Sequence, residues 1–292
     1  MKNFEFHRPQ KLAEALDLFG QHKGRARIWA GGTDLLVRLR DRALQIEALI
    51  DLKQIPHLDI IEYDKNAGLR LGTLARIRDI ETSTTIRENF LILSEAAETL
   101  GSIQVRNKAT VGGNICNASP SADMVPPLIA LGAEVKIVGK GKEKTMPLEK
   151  FFKGPGETAL ENGEVLTEIN ISNMAPRSYG VYLKQGRRKA LDLAVAGVAS
   201  VLTLDRTLSK CVDIRIALGA VAPIPMRAKK AEAVIRGSDL SDSVLNEAAK
   251  FAAGECAPIS DVRASEWYRR EVVGALVKRS IQQAFNKLTA CA

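Results

Sequence analysis

The sequence is short of the side chains that enzymes most often use for catalysis without a cofactor. It has only three histidines, and its four cysteines show no CxxC-type spacing. The histidines are His7, His22 and His57, and the cysteines are Cys116, Cys211, Cys256 and Cys291. These absences exclude a metal site built from one short motif and give weak support to a Ser-His-Asp or Cys-His centre. Any chemistry is therefore expected to depend on a bound cofactor.

Aromatic residues are also scarce, at 5% of the 292 residues, and the basic residues are scattered. The net charge is +8, yet the longest basic cluster is only Arg187, Arg188 and Lys189. Neither a stacking platform nor a basic stripe is present, so nucleic-acid binding is not expected. The charge favours weak attraction for anionic small molecules or for an acidic partner surface.

Long apolar runs and the common nucleotide motifs are missing as well. No run reaches the roughly 18 residues that span a bilayer, and the start MKNFEFHRPQ lacks an apolar signal core, so we expect a cytoplasmic protein without a membrane span. The fingerprints GxGxxG and GxxxxGK[ST] are absent. GKGKEK at 139–144 has Lys144 where the third glycine belongs and lies between two strand-like runs, which predicts a hairpin turn.

Hydrophobic patterning divides the chain into three segments. Residues 1–57 alternate strand and helix patterns, which predicts a small α/β unit. Residues 58–175 combine hairpins with helices, which predicts an α+β unit. Residues 176–292 begin with long strand-like runs and end in three helices. That order predicts an antiparallel sheet backed by a helical bundle.

Two glycine-bearing stretches stand out, AGGTDLL at 30–36 and ATVGGNICNASPSAD at 109–123. The second carries so many turn residues that we predict a loop. Glycine pairs at such turns let backbone N–H groups approach an anion, here a pyrophosphate. The side chains that add donors or acceptors are Thr33, Thr110, Asn114 and Asp123. Taken singly, either stretch is also compatible with an ordinary tight turn.

Four motifs in order resemble the FAD-binding subunit of the molybdenum hydroxylases, the xanthine dehydrogenase and carbon monoxide dehydrogenase family. They are AGGTDLL, TVGGNICNASPSAD, GEVLTEINI and YLKQGRRKALDLA, and the resemblance covers nearly the whole chain. It implies an α+β fold, with a two-subdomain FAD-binding unit of the vanillyl-alcohol oxidase or PCMH type before the C-terminal sheet and helices. It also implies a large molybdenum-cofactor partner and a small [2Fe-2S] partner, in a dimer of heterotrimers.

The resemblance carries a set of FAD contacts over to this sequence. They are Ala30, Gly31, Gly32, Thr33, Asp34, Leu35, Leu100, Thr110, Gly112, Gly113, Asn114, Asp123, Leu166 and Lys184. It implies that the two loops hold the pyrophosphate, that Asp123 binds cofactor hydroxyls and that Lys184 lies near the flavin ring. Leu100 stands where some relatives place an aromatic ring. No catalytic side chain is expected, and no metal on this chain, because the four-cysteine insertion of some relatives is missing.

By this resemblance the chain passes electrons from a partner's [2Fe-2S] clusters through FAD to an external acceptor. Two alternatives remain open. A free-standing FAD oxidase or reductase would need its own substrate pocket and base. A flavin-free assembly or scaffold protein would use the glycine loops as simple turns. Flavin absorbance after gentle purification distinguishes the last alternative from the others, and turnover by the isolated chain would favour the oxidase or reductase.

Overall fold

The computed structural model describes residues 3–188 and 190–290, so Lys189 and Cys291 lie outside the described part of the chain. The N-terminal unit is a three-stranded parallel sheet of order β1-β3-β2 with two helices. Its elements are β1 (Glu5–His7), α1 (Leu12–Gln21), β2 (Ala26–Trp29), α2 (Leu35–Arg40) and β3 (Ala48–Asp51). Helix α1 buries Ala15 and Leu16 in the same core as Ile50 of the sheet, so the helix and the sheet pack as one layer on another.

The second unit is built on a five-stranded antiparallel sheet of order β4-β5-β10-β6-β7. Its strands are β4 (Ile61–Asp64), β5 (Gly68–Gly72), β6 (Glu134–Gly139), β7 (Lys142–Pro147) and β10 (Val165–Ile171), with a hairpin of β8 (Phe152–Gly154) and β9 (Glu157–Thr158). Its helices are α3 (Ile77–Thr82), α4 (Thr84–Asn89), α5 (Leu91–Thr99), α6 (Ile103–Arg106), α7 (Val111–Cys116) and α8 (Val125–Ala130). The stretch 139–144 forms the β6–β7 hairpin, with Gly141 at φ 70°, as predicted.

The third unit is a four-stranded antiparallel sheet followed by three helices. The elements are β11 (Ser178–Gln185), β12 (Ala196–Leu204), β13 (Cys211–Gly219), β14 (Met226–Arg227), α9 (Lys229–Ile235), α10 (Asp242–Glu255) and α11 (Glu266–Ala290). The two faces of β12 pack in different cores, since Val198 packs with the C-terminal helices and Ala199 packs with the second unit. Helices α5 and α8 lie against this sheet, so the second and third units share a buried face.

The prediction of a loop at 109–123 is wrong for Val111–Cys116, which forms helix α7. The Thr110 hydroxyl oxygen caps this helix by accepting a hydrogen bond from the Gly113 N–H at 3.1 Å. The cap and the burial of Val111 and Ile115 outweigh the low helix propensity of the two glycines. In the part of the chain that the structure describes, no helix combines the length and apolar character needed to cross a bilayer.

Candidate functional site

The first glycine loop follows the carboxyl end of β2 and packs directly on the second. A Cβ placed on Gly31 would lie 2.1 Å from the carbonyl oxygen of Lys108 and 3.0 Å from Cα of Ala109. Gly32 has φ +78°, and a Cβ there would lie 2.4 Å from Nε1 of Trp29. Only glycine fits either position without displacing its neighbours. The two loops, distant in sequence, are therefore adjacent in space.

The two glycines of the second loop have different surroundings. A Cβ on Gly112 would lie 1.8 Å from the Thr73 hydroxyl, so this glycine lets α7 approach the end of β5. A Cβ on Gly113 would lie 2.9 Å from the Thr110 hydroxyl oxygen, and among the described residues it would meet no other heavy atom within 4 Å beyond its chain neighbours and the backbone of α7. Packing against Thr73 thus explains Gly112, whereas a side chain at Gly113 would press on the cap hydroxyl of Thr110 and extend beside the start of α7.

The two loops also differ in how their backbone N–H groups are used. Within the described residues, the N–H groups of residues 31–34 donate to no protein acceptor. In the second loop, by contrast, Gly112 donates to the Thr73 carbonyl at 2.9 Å, Gly113 to the Thr110 hydroxyl and Asn114 to the Thr110 carbonyl at 3.0 Å. The N–H groups of residues 31–34 are therefore available to an anion, whereas those of Gly112, Gly113 and Asn114 are used inside the protein, and contact of either loop with a pyrophosphate stays a prediction.

Asn114 supplies a second feature that fits a bound ligand. Its side-chain oxygen Oδ1 is buried and has no hydrogen-bond partner within the described residues. An unpaired buried polar atom costs roughly 1–3 kcal/mol, so such atoms are rare unless something else bonds them. A cofactor with hydroxyl or amine donors fits beside α7, and the free N–H groups of residues 31–34 fit its phosphate oxygens.

Asp123 and Lys184 form the buried charged centre of the site. Lys184 Nζ donates to Asp123 Oδ2 at 2.7 Å and to the Thr99 carbonyl at 3.0 Å, and the two charged side chains are only 9% and 6% exposed. The hydroxyl of Tyr182, two residues before Lys184 on β11, donates to Asp123 Oδ1 at 3.0 Å. The cluster joins the second unit to the third, because Asp123 precedes α8 and its donors lie on β11.

Burial controls the ionisation of this cluster. Desolvation raises the pKa of Asp123 above its ordinary value, although the Lys184 ammonium and the Tyr182 hydroxyl act in the opposite direction. Desolvation and the neighbouring Asp123 carboxylate raise the pKa of Tyr182 well above 10, so it remains a neutral donor. Burial also raises the pKa of the Cys116 thiol to about 12, which leaves it protonated and unreactive at neutral pH.

The other predicted contacts are scattered around these features. Leu100 ends α5 and is 8% exposed, while Leu166 on β10 lies in the core at 2%. The Ala30 carbonyl accepts a hydrogen bond from Lys53, which also lies over the ring of Trp29. The remaining three occupy the first loop and the start of α2: Thr33 is half-buried, Asp34 is exposed without a side-chain cap bond, and Leu35 packs on a small satellite core.

A buried ion pair that was not predicted from the sequence lies just before the second loop in the chain. Arg106 donates to Glu81 Oε2 at 2.6 Å and to the Leu100 carbonyl at 3.0 Å. It thereby ties α3 and the end of α5 to α6, immediately before Thr110. Nothing in the local sequence around Arg106 distinguishes it from an exposed arginine, because its partner lies 25 residues away.

Two family models together match nearly the whole chain. Residues 2–173 match the model for the FAD binding domain in molybdopterin dehydrogenase, and residues 181–284 match the CO dehydrogenase flavoprotein C-terminal domain. The chain belongs to the FAD-binding medium subunits of the molybdenum hydroxylases. It is an oxidoreductase subunit whose cofactor is FAD, and the family includes carbon monoxide and xanthine dehydrogenase subunits.

Relatives match this family member over nearly their full length. The carbon monoxide dehydrogenase medium chain of Hydrogenophaga pseudoflava is 33% identical, covering 97% of this chain and 98% of the relative. The glyceraldehyde dehydrogenase medium chain of Sulfolobus acidocaldarius is 32% identical, with coverage of 96% and 98%. The solved carbon monoxide dehydrogenase of Hydrogenophaga pseudoflava matches with a TM-score of 0.93, 33% identity and coverage of 97% and 98%. The solved quinoline 2-oxidoreductase from Pseudomonas putida 86 matches with a TM-score of 0.91 and 29% identity, and the match covers 99% of both chains. These matches confirm the predicted fold, function and cofactor.

Proposed function

We propose that FAD lies across the two glycine loops and along the Asp123–Lys184 pair, and that this chain carries electrons between a partner subunit and an external acceptor. The observation that carries the placement is the direct packing of Gly31 on residues 108–109, which joins both predicted loops into one surface. The free N–H groups of residues 31–34 and the unpaired oxygen of Asn114 support it.

Each group in this surface has a distinct proposed role. The first-loop N–H groups, with the Thr33 hydroxyl, hold the pyrophosphate. Asn114 and Thr110 bond the cofactor beside α7, and Asp123 accepts hydrogen bonds from cofactor hydroxyls. Leu100 and Leu166 provide apolar surface, and the Lys184 ammonium places a positive charge near the flavin ring. Bound FAD would supply the redox chemistry, accepting electrons singly and releasing them in pairs.

The proposal assigns substrate oxidation to a different subunit. The relatives are named for carbon monoxide, glyceraldehyde and quinoline, yet their chains match this one over nearly the whole length. A shared chain in complexes named for different substrates fits a role in electron transfer. We propose a large molybdenum-cofactor partner, a small [2Fe-2S] partner, a dimer of heterotrimers and a cytoplasmic location.

FAD content after gentle purification tests the placement. The chain should carry about one FAD, and Gly113→Val should abolish binding because its side chain enters the space beside the α7 cap. Gly254→Val is the control for placing valine in a helix, since Gly254 lies in α10 and, among the described residues, a Cβ there meets no heavy atom within 4 Å beyond its chain neighbours and the helix backbone. A folded Gly113→Val protein with full FAD content would contradict the placement.

Co-purification tests the proposed role in a complex. The native chain should purify with two further subunits that carry molybdenum and iron, and the isolated chain should not oxidise a donor by itself. Turnover by the isolated chain would replace the proposal with a free-standing oxidase or reductase. A colourless protein that cannot be reconstituted with FAD would contradict both the placement and the role.

A further inference from the structure

A cluster of potential metal ligands lies on the N-terminal unit. The ligand atoms of Glu5, His7 and His22 all lie within 4.8 Å of one another, and the cluster holds two of the chain's three histidines. None of these residues belongs to the proposed FAD surface. We propose that Glu5, His7 and His22 form a binding site for one divalent transition-metal ion of the zinc type, with solvent completing the coordination.

The backbone places the three side chains on one surface. Glu5 and His7 are two residues apart on the edge strand β1, so they point to the same face of the sheet. His22 follows the end of α1, where its N–H donates to the Gly20 carbonyl and its own carbonyl accepts from the Arg25 N–H at 2.9 Å. These hydrogen bonds fix the backbone of His22, and its imidazole centroid lies 6.0 Å from that of His7.

The distances between ligand atoms are close to those of a tetrahedral zinc site. His7 Nε2 lies 3.0 Å and His22 Nε2 lies 4.0 Å from Glu5 Oε2. With metal–ligand bonds of 2.0–2.1 Å, tetrahedral neighbours lie about 3.3 Å apart. Because all three ligand atoms lie within 4.8 Å of one another, the site requires shifts of roughly 1–1.5 Å. Rotation of the Glu5 side chain, which is 67% exposed, and of the two imidazoles can make them.

A carboxylate also faces the outer side of His22. His22 Nδ1 lies 3.8 Å from Glu47 Oε2, while Glu47 Oε1 is held by Arg25 at 2.8 Å. Metal-binding histidines commonly direct their second ring nitrogen to a carboxylate, which fixes the ring and the tautomer. Two imidazoles with one carboxylate suit zinc and its neighbours among the transition metals, whereas magnesium and calcium prefer oxygen ligands alone.

The position of the cluster suggests a structural role separate from FAD. Glu5 is level with Ala26 and Ala48 at the amino end of the parallel sheet, whereas the first glycine loop follows Trp29 at the other end. The side chains of His22 and His7 are 16% and 28% exposed, which leaves an open side for water. A bound ion would join the end of α1 to the edge strand without contacting the FAD loops, and would stabilise this unit.

Zinc titration of the full-length chain after chelator treatment tests the proposal. Calorimetry should give one Zn²⁺ per chain, and His22→Ala and Glu5→Gln should each weaken binding at least tenfold. His57→Asn is the matched control, because it removes the histidine outside the cluster at a residue with φ 63°, which asparagine tolerates. The control should bind zinc like the unmodified chain, and all variants should retain the same FAD content.

Two results would overturn the proposal. One is a failure to bind zinc stoichiometrically, or zinc binding by Glu5→Gln that equals binding by the unmodified chain. Because Glu5 is exposed, Glu5→Gln should fold and remains informative even if His22→Ala does not fold. The other is a thiolate charge-transfer band when Co²⁺ replaces Zn²⁺, because it would assign the ion to cysteine. A cobalt spectrum with only nitrogen and oxygen ligands, lost in Glu5→Gln, would support the site.

Discussion

Replacing Lys184 with methionine isolates the contribution of the buried ion pair. The methionine keeps most of the apolar stem but removes the ammonium, which bonds Asp123 at 2.7 Å and the Thr99 carbonyl at 3.0 Å. Asp123 would keep the hydrogen bond from the Tyr182 hydroxyl but lose its counter-charge. Because burial already raises the pKa of Asp123, the variant should raise it further and favour the protonated carboxyl.

The expected loss of stability follows from the geometry of the pair. At 2.7 Å the Coulomb attraction is about 6 kcal/mol for an effective dielectric constant near 20, and desolvation of the two ions offsets most of it. Removing one partner of such a pair costs roughly 3–5 kcal/mol, because the other charge stays buried. Protonation of Asp123 removes the unpaired charge and so limits the loss of stability. The cost of Lys184→Met in free energy of unfolding should therefore be near the lower of these two values.

Urea denaturation of the FAD-free protein measures this effect. The double variant Asp123→Asn with Lys184→Met should recover much of the lost stability, since it leaves no unpaired charge. Lys140→Met removes a lysine whose side chain is 83% exposed and should leave the denaturation midpoint unchanged. If Lys184→Met and Lys140→Met have the same midpoint, the buried pair does not stabilise the fold and the reasoning fails.

Three further predictions concern neighbouring parts of the site. Gly31→Ala should lower both stability and FAD content, because its Cβ would lie 2.1 Å from a carbonyl oxygen; normal FAD content and stability would contradict the packed loops. Tyr182→Phe should cost about 1–3 kcal/mol, measured by urea denaturation, because Asp123 loses a buried donor; an unchanged midpoint would exclude that bond. Although burial acts to raise the pKa of Glu81, hydrogen bonds from Arg106 and a second arginine hold it below 4.5. The Arg106–Glu81 pair therefore stabilises the fold fully above pH 4.5, and this stabilisation is lost as the pH falls through the lower pKa of Glu81 in the folded state. Arg106→Met should lower the free energy of unfolding by about 3 kcal/mol at pH 7 and by progressively less in acid.

Local sequence patterns predicted the regular elements well because their causes are local. The spacing of apolar residues in α1 and the turn chemistry around Gly141 act over a few residues, and both predictions are confirmed. The error at 109–123 has a tertiary cause. Helix α7 forms because Val111 and Ile115 are buried and because Gly112 admits Thr73, and neither condition can be read from a stretch rich in turn residues.

Sequence alone determined the candidate loops, the family resemblance and the residue types available for binding. Only the tertiary structure decided what each residue contacts, because those contacts join distant parts of the chain. It separates Gly112, where a Cβ would lie 1.8 Å from the Thr73 hydroxyl, from Gly113, where a Cβ would meet the cap hydroxyl of Thr110 at 2.9 Å. It pairs Lys184 with Asp123 across 61 residues by docking α5 and α8 on the C-terminal sheet. It also brings His7 and His22 together although no metal motif links them, because α1 returns the chain to the amino end of the parallel sheet, where Glu5 and Ala26 are level with Ala48.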